Sequence, residues 1–200
     1  YSSSVTPRLI ARYTGLFGSG AEGRLEGWKQ FVRETAGRTG PARSRSGDVE
    51  LLGLVNRFFN GAQWASDLAL WGVEDYWTTP SEFRAIGSGD CEDYAIAKYF
   101  GLKELGIPIV RMRLVYAKTW WSSQSAHMVL AYYPDPRAEP LILDNLTGAI
   151  QLASDRPDLT PVFSFNDEDL MVPEMGGRVS GSSVRQWRDV LQKLQRELTH

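Results

Sequence analysis

The 200-residue chain is poor in two reactive residue types, with one cysteine, Cys91, and two histidines, His127 and His200. A single thiol excludes an intrachain disulfide framework and any multi-cysteine zinc site, and by itself does not fix the redox compartment. Long apolar runs are missing. Ile107–Val110 and Met128–Tyr133 have strand or buried-segment length, far short of the ~20 residues a membrane-crossing helix needs. Excess charge is missing too. With 22 Lys+Arg against 24 Asp+Glu and a net charge of -2, no global attraction favours nucleic acid or an anionic membrane. The chain opens Tyr1-Ser2-Ser3-Ser4, without a basic-then-apolar leader.

What is present describes a folded domain. Hydrophobic residues make up 42% and charged residues 23%, a balance that excludes intrinsic disorder. No repeat or linker divides the chain, so 1–200 reads as a single domain. Residues 1–20, rich in Ser and Gly, read as a flexible arm, and Gly37–Gly47 as a surface loop. Helical spacing predicts a helix over Leu25–Thr35 and a second from Asp48, its N-cap, to Phe59. The aromatic stretch Trp64–Trp77 ends in Thr78-Thr79-Pro80, read as a break in regular structure. A third helix is predicted from Asp90 to a left-handed cap at Gly106. The period then changes, giving strands at 107–116, 128–133, 140–143 and 162–165, and a last helix at 182–198. Helices followed by an antiparallel meander indicate α+β.

Chemistry concentrates in Gly87-Ser88-Gly89-Asp90-Cys91-Glu92-Asp93. If Asp90 caps the third helix, Cys91 is its first residue, where unsatisfied N–H groups and the helix dipole favour a thiolate nucleophile. A lone cysteine is more often structural. This one, however, has charged neighbours on both sides and sits at a loop-to-helix junction, off the apolar stripe. His127 opens the second strand and Asp144 ends the third. Neighbouring antiparallel strands can hold an imidazole beside a carboxylate, making His127 the base and Asp144 its orienting acid. Taken singly, His127 fits a satisfied strand histidine and Asp144 a turn former before Asn145. Asp90, Glu92 and Asp93 would raise the thiol pKa. Helix capping explains them as well, and a hard cation such as Ca2+ would relieve the conflict.

Three runs, Gly89-Asp90-Cys91-Glu92-Asp93-Tyr94-Ala95-Ile96-Ala97-Lys98-Tyr99, Ala126-His127-Met128-Val129-Leu130 and Leu143-Asp144-Asn145-Leu146, carry a resemblance. With Val55-Asn56, Trp71-Gly72, Asp75–Pro80 and Pro161–Asn166, they span roughly residues 50–170 and resemble the LapG-like bacterial transglutaminase-like cysteine proteases. The resemblance implies a papain-like α+β fold with a catalytic core over about 50–170, and a calcium-dependent periplasmic endopeptidase. It assigns nucleophile, base and acid to Cys91, His127 and Asp144, and Ca2+ ligation to Asp90, Glu92 and Asp93. It also implies a large surface adhesin as substrate, cut at a di-alanine site in its N-terminal region to release biofilm cells. A LapD-like inner-membrane cyclic-diguanylate receptor would sequester the enzyme through its periplasmic output domain.

Trp77 and the pair Trp120-Trp121 fall in predicted loops, where large aromatics serve as binding anchors or close a core; Trp77 is the stronger partner-binding candidate. For the oxyanion, the Cys91 N–H is one expected donor, with Asn56 and Asn60 as further candidates. The same triad would also serve a transglutaminase or acyltransferase. An inert cysteine would instead leave a calcium-stabilised binding module.

Overall fold

The structure, a computed structural model, describes residues 3–38, 45–120, 126–172, 177–180 and 184–199. Helix α1 (Pro7–Phe17) begins at Thr6, whose Oγ1 accepts from the Leu9 N–H, with Pro7 where a missing N–H costs nothing. Residues 7–17 are therefore helix and not a loose arm. Val5, Leu9, Ile10 and Tyr13 are buried, and the Tyr13 hydroxyl donates to Glu197 at 2.6 Å. The Ser and Gly around these residues hide their helical spacing from a reading of composition.

Helices α2 (Ser19–Arg38) and α3 (Arg45–Asn60) follow, each longer than its apolar stripe predicts. Asp48 does not cap α3, which starts a turn earlier. Its buried carboxylate instead accepts from Arg111 at 3.0 Å and Tyr132 at 2.7 Å. Between α3 and the helix of Cys91 lie β1 (Gln63–Trp64), α4 (Asp67–Trp71), α5 (Pro80–Ile86) and β2 (Ser88–Gly89). Thr79-Pro80 starts α5 instead of breaking structure. Thr79 accepts from the Glu82 N–H, and Glu82 accepts from the Thr79 N–H, a reciprocal capping box.

Helix α6 (Cys91–Glu104) runs from Asp90, and the chain leaves it through left-handed Gly106 (φ +89°), as predicted. Residues 92–99 are all buried, so α6 is the central helix. It packs against a seven-stranded antiparallel sheet: β3 (Met112–Thr119), β4 (His127–Tyr132), β5 (Leu141–Leu143), β6 (Gln151–Leu152), β7 (Leu159–Phe165), β8 (Asp169–Val172) and β9 (Gly177–Ser180). The sheet order is β6-β5-β4-β3-β7-β8-β9.

Strand β3 starts at Met112 because Ile109–Arg111 forms a short 3-10 turn. Arg113, on this strand, is buried and paired with Asp169 at 2.6 Å. Helix α7 (Arg185–Thr199) closes the core, with Trp187 fully buried against Tyr99, Phe100 and Phe165. The class is α+β, as predicted. Among the described residues, no helix is long and apolar enough to cross a membrane.

Candidate active site

The nucleophile position is built by a close approach of backbone to side chain. Gly89 ends β2, and a Cβ there would lie 2.4 Å from Asp93 Oδ2 and 2.9 Å from the Phe83 ring. Glycine is required, and it lets the chain turn directly into α6. Cys91 is the first residue of that helix, half-buried, with its thiol donating to Glu92 Oε2 at 3.1 Å. The Met128 N–H, next to His127 at the start of β4, donates to the sulfur. The helix that carries the thiol and the strand that carries the imidazole therefore meet at this point.

His127 is the first residue of β4, and Asp144 follows the last residue of β5. The β4–β5 register sets Leu130 against Leu143, and His127 Nε2 lies 2.8 Å from Asp144 Oδ1. Both side chains are buried. A neutral imidazole donating from Nε2 to a carboxylate has its lone pair on Nδ1. The Leu146 N–H also donates to Oδ1, at 3.1 Å, so Asp144 forms its local turn while it holds the histidine.

Sequence reading missed Arg156, whose Nη2 donates to Asp144 Oδ2 at 2.8 Å and which Asp158 holds in turn. A single basic residue in a loop carries no signal of this role. Burial alone would raise the Asp144 carboxyl. Hydrogen bonding and charge from His127, with bonds from Leu146 and Arg156, outweigh burial and hold it at about 2. Asn60 and Asn56, considered as oxyanion donors, are committed elsewhere. Asn60 Nδ2 donates to the Asp144 carbonyl at 2.9 Å and Asn56 Nδ2 to the Gly148 carbonyl at 3.2 Å, so α3 anchors the 144–148 turn.

The three acids divide differently from the sequence expectation. Asp93 faces inward, accepting from the Thr78 N–H at 2.9 Å, the Thr78 hydroxyl at 2.7 Å and the Asp90 N–H at 3.2 Å. It is a fully buried structural carboxylate and stands apart from the acidic cluster; burial raises it to about 7 against those bonds. The residue that joins Asp90 and Glu92 is Asp67, from the start of α4, which the sequence places too far away to suggest. Ligand oxygens of Asp67, Asp90 and Glu92 all lie within 4.8 Å of one another. Asp67 Oδ1 and Asp90 Oδ1 are buried without a hydrogen-bond partner. Orphaned, clustered carboxylate oxygens fit a hard divalent cation.

The same cluster sets the state of the thiol. Burial, then the charge of Glu92, push Asp90 up to about 9, and burial raises Glu92. Burial, then the charge and hydrogen bond of Glu92, push the Cys91 thiol well above the ordinary range, against the Met128 N–H. The thiolate expected from the helix terminus is therefore disfavoured while these carboxylates are unneutralised.

Cys91, His127 and the acidic trio line one cavity of about 830 Å³. Trp77 also borders it, but as a wall residue. It is 8% exposed, stacks on Phe165 with ring centroids 5.9 Å apart and donates to Asp75, so the structure does not present it as a surface anchor. Among the described residues, the exposed aromatics are Trp64, on the cavity rim, and Trp120. Trp121 and His200 lie outside the described residues.

The family model for bacterial transglutaminase-like cysteine proteinases (BTLCP) matches residues 30–158, which include every residue of this site. The chain belongs to this family. It is thus a cysteine protease by family. The EGTA-treated structure of Legionella pneumophila LapG is 34% identical with a TM-score of 0.78, the match covering 95% of this chain and 98% of that one. Calcium-bound LapG from the same organism is 35% identical with a TM-score of 0.75, covering 95% and 99%. Comparison with curated proteins gives no match.

Proposed function

We propose that this protease is a calcium-dependent periplasmic endopeptidase with Cys91 as nucleophile, His127 as general base and Asp144 as orienting acid. The observation that carries the reading is the convergence, in one cavity, of a helix-terminal thiol with an imidazole whose far nitrogen is held by a buried carboxylate. His127 Nδ1 takes the thiol proton, and the sulfur attacks the scissile carbonyl. The Cys91 N–H, unsatisfied within its helix, faces the developing oxyanion. The imidazolium gives its proton to the leaving amine, and an acyl-enzyme remains. His127 then takes a proton from water, whose oxygen attacks the acyl carbon and frees the acid and the thiol. Asp144 keeps Nε2 protonated throughout, and Arg156 keeps Asp144 ionised.

Asp67, Asp90 and Glu92 would hold the calcium, which supplies charge neutralisation beside the thiol when bound. Calcium-bound LapG supports a role for calcium, and the clustered carboxylate oxygens support these three residues as its ligands. The LapG likeness and the sequence motifs together support the finer reading. In it the substrate is a large surface adhesin cut at a di-alanine site in its N-terminal region, which releases biofilm cells. A LapD-like cyclic-diguanylate receptor sequesters the enzyme through its periplasmic output domain.

The test is incubation with an Ala-Ala-containing polypeptide, with calcium or with EGTA, read by mass spectrometry. Fragments carrying one added water, formed only with calcium, are expected. Crosslinked products would make the chain an acyltransferase, and full cleavage in EGTA would remove the metal from the mechanism.

A further inference from the structure

Trp64 and Leu68 are large apolar side chains left 65% and 64% exposed, and both border the cavity that holds Cys91 and His127. Scattered exposed apolar residues are ordinary on a protein surface, whereas two at the mouth of a reactive cavity form a contact surface. Their backbone is tied to that of the nucleophile. Strand β1 pairs in parallel with β2, and Trp64 stands opposite Gly89, two residues before Cys91. The Gln63 N–H donates to the Gly87 carbonyl at 3.0 Å and the Ala65 N–H to the Gly89 carbonyl at 2.9 Å. The Tyr94 hydroxyl, on the helix of Cys91, donates to the Ala62 carbonyl at 2.8 Å. Strand spacing and the step between residues therefore keep the Cα of Trp64 within about 12 Å of that of Cys91. Leu68 follows Asp67, whose Oδ2 accepts from the Tyr76 N–H at 2.5 Å, so this turn of α4 is held beside the acidic cluster.

We infer that Trp64 and Leu68 form the apolar wall of a substrate subsite, which takes one large aliphatic side chain of the polypeptide near the scissile bond. This deepens the protease reading above and rests on it. A Trp ring on a hydrogen-bonded strand is in place before substrate arrives, so little ordering is lost on contact. An extended polypeptide advances about 3.3 Å per residue, so the side chain that meets Trp64 lies within about three residues of the cut. Trp77 borders the same cavity but is stacked on Phe165 and bonded to Asp75, and it offers no comparable open face.

The test is a series of Ala-Ala peptides with Leu or Ser at each of about three positions on either side of the cut, cleaved in saturating calcium. At one position wild type should prefer Leu to Ser by roughly tenfold in kcat/KM, the scale of one apolar contact in a site. Trp64→Ala should reduce that preference to about twofold or less, and Leu68→Ala should reduce it in part, with Tm and its calcium-induced rise kept. Trp120→Ala, which removes an exposed aromatic that does not border the cavity, should keep the preference. A wild type without preference at any position would overturn the inference, as would a preference that survives in Trp64→Ala. An equal loss for Leu and Ser peptides would do so too, since it marks a disturbed site and not a lost contact. If wild type cleaves no peptide, the protease reading has failed, and calorimetric binding judges the subsite separately. The Leu peptide should then bind wild type roughly tenfold more tightly than Trp64→Ala, and equal affinities would overturn the subsite.

Discussion

Arg156 and His127 hold opposite oxygens of one carboxylate: Nη2 on Asp144 Oδ2 and Nε2 on Asp144 Oδ1, each at 2.8 Å. Asp144 therefore stays ionised in a buried site, and the imidazole is held in one orientation. Held at about 2 in the folded state against an unfolded value of 3.8, it contributes stability above pH ~4 that is lost as pH falls toward ~2. The contribution is about 2 kcal/mol. Urea unfolding of wild type and Asp144→Asn should show wild type losing that amount across the window and the variant not losing it. Parallel pH curves would contradict the assignment.

Cys91→Ala should eliminate cleavage and shift Tm by no more than a few degrees, because a half-buried thiol at a helix start contributes about 1 kcal/mol or less. Circular dichroism melts together with the cleavage assay check both parts. A collapse of the fold would make Cys91 a core residue.

The acidic residues should separate into two behaviours. Asp67→Asn should weaken the calcium-induced rise in Tm while leaving the calcium-free protein as stable as wild type, or more so, since it removes one of three mutually repelling carboxylates. Asp93→Asn should lower Tm with or without calcium, through lost bonds to Thr78. Since Asp90 is pushed up to about 9 without the ion, calcium binding at pH ~7 should release a proton. Calorimetry in buffers of differing ionisation enthalpy measures it. Loss of the calcium response in Asp93→Asn but not in Asp67→Asn would restore the sequence-based ligand set.

Trp77→Ala should destabilise the fold by about 3 kcal/mol, the usual cost of emptying a buried aromatic site, because Trp77 stacks on Phe165 in the core. Trp120→Ala should leave Tm unchanged, its side chain being 77% exposed. Thermal melts decide between wall and anchor. Unchanged stability in Trp77→Ala would return Trp77 to the surface.

For Lys98, as for Asp144, stability rises with pH, here because burial disfavours the charged amine. Folded Lys98 loses its proton at about 7, against 10.5 unfolded, so between these values the unfolded chain binds more protons and stability rises with pH. The stability advantage of Lys98→Met over wild type should therefore shrink from about pH 7 to about pH 10, by a few kcal/mol at most. A constant gap would place the amine in contact with water.

Local chemistry explains what was legible in advance. The α6 start, its Gly106 exit and the strands of His127 and Asp144 follow from capping, glycine conformation and hydrophobic period, all short-range properties. Where the sequence misled, a distant partner overrode the local pattern. Asp48 looked like a cap but is taken by Arg111 and Tyr132, and the Ser- and Gly-rich beginning becomes helix because Tyr13 reaches Glu197. The site divides along the same line. Sequence alone placed Cys91, His127 and Asp144 at element ends, since the neighbours of each specify where its helix or strand starts or stops. Tertiary structure decided that Asp67 and not Asp93 joins the acidic cluster, that Arg156 shares Asp144, and that Trp77 is wall. Those choices depend on which side chains the packed helices and sheet bring within a few ångströms, and separation along the chain carries no record of that.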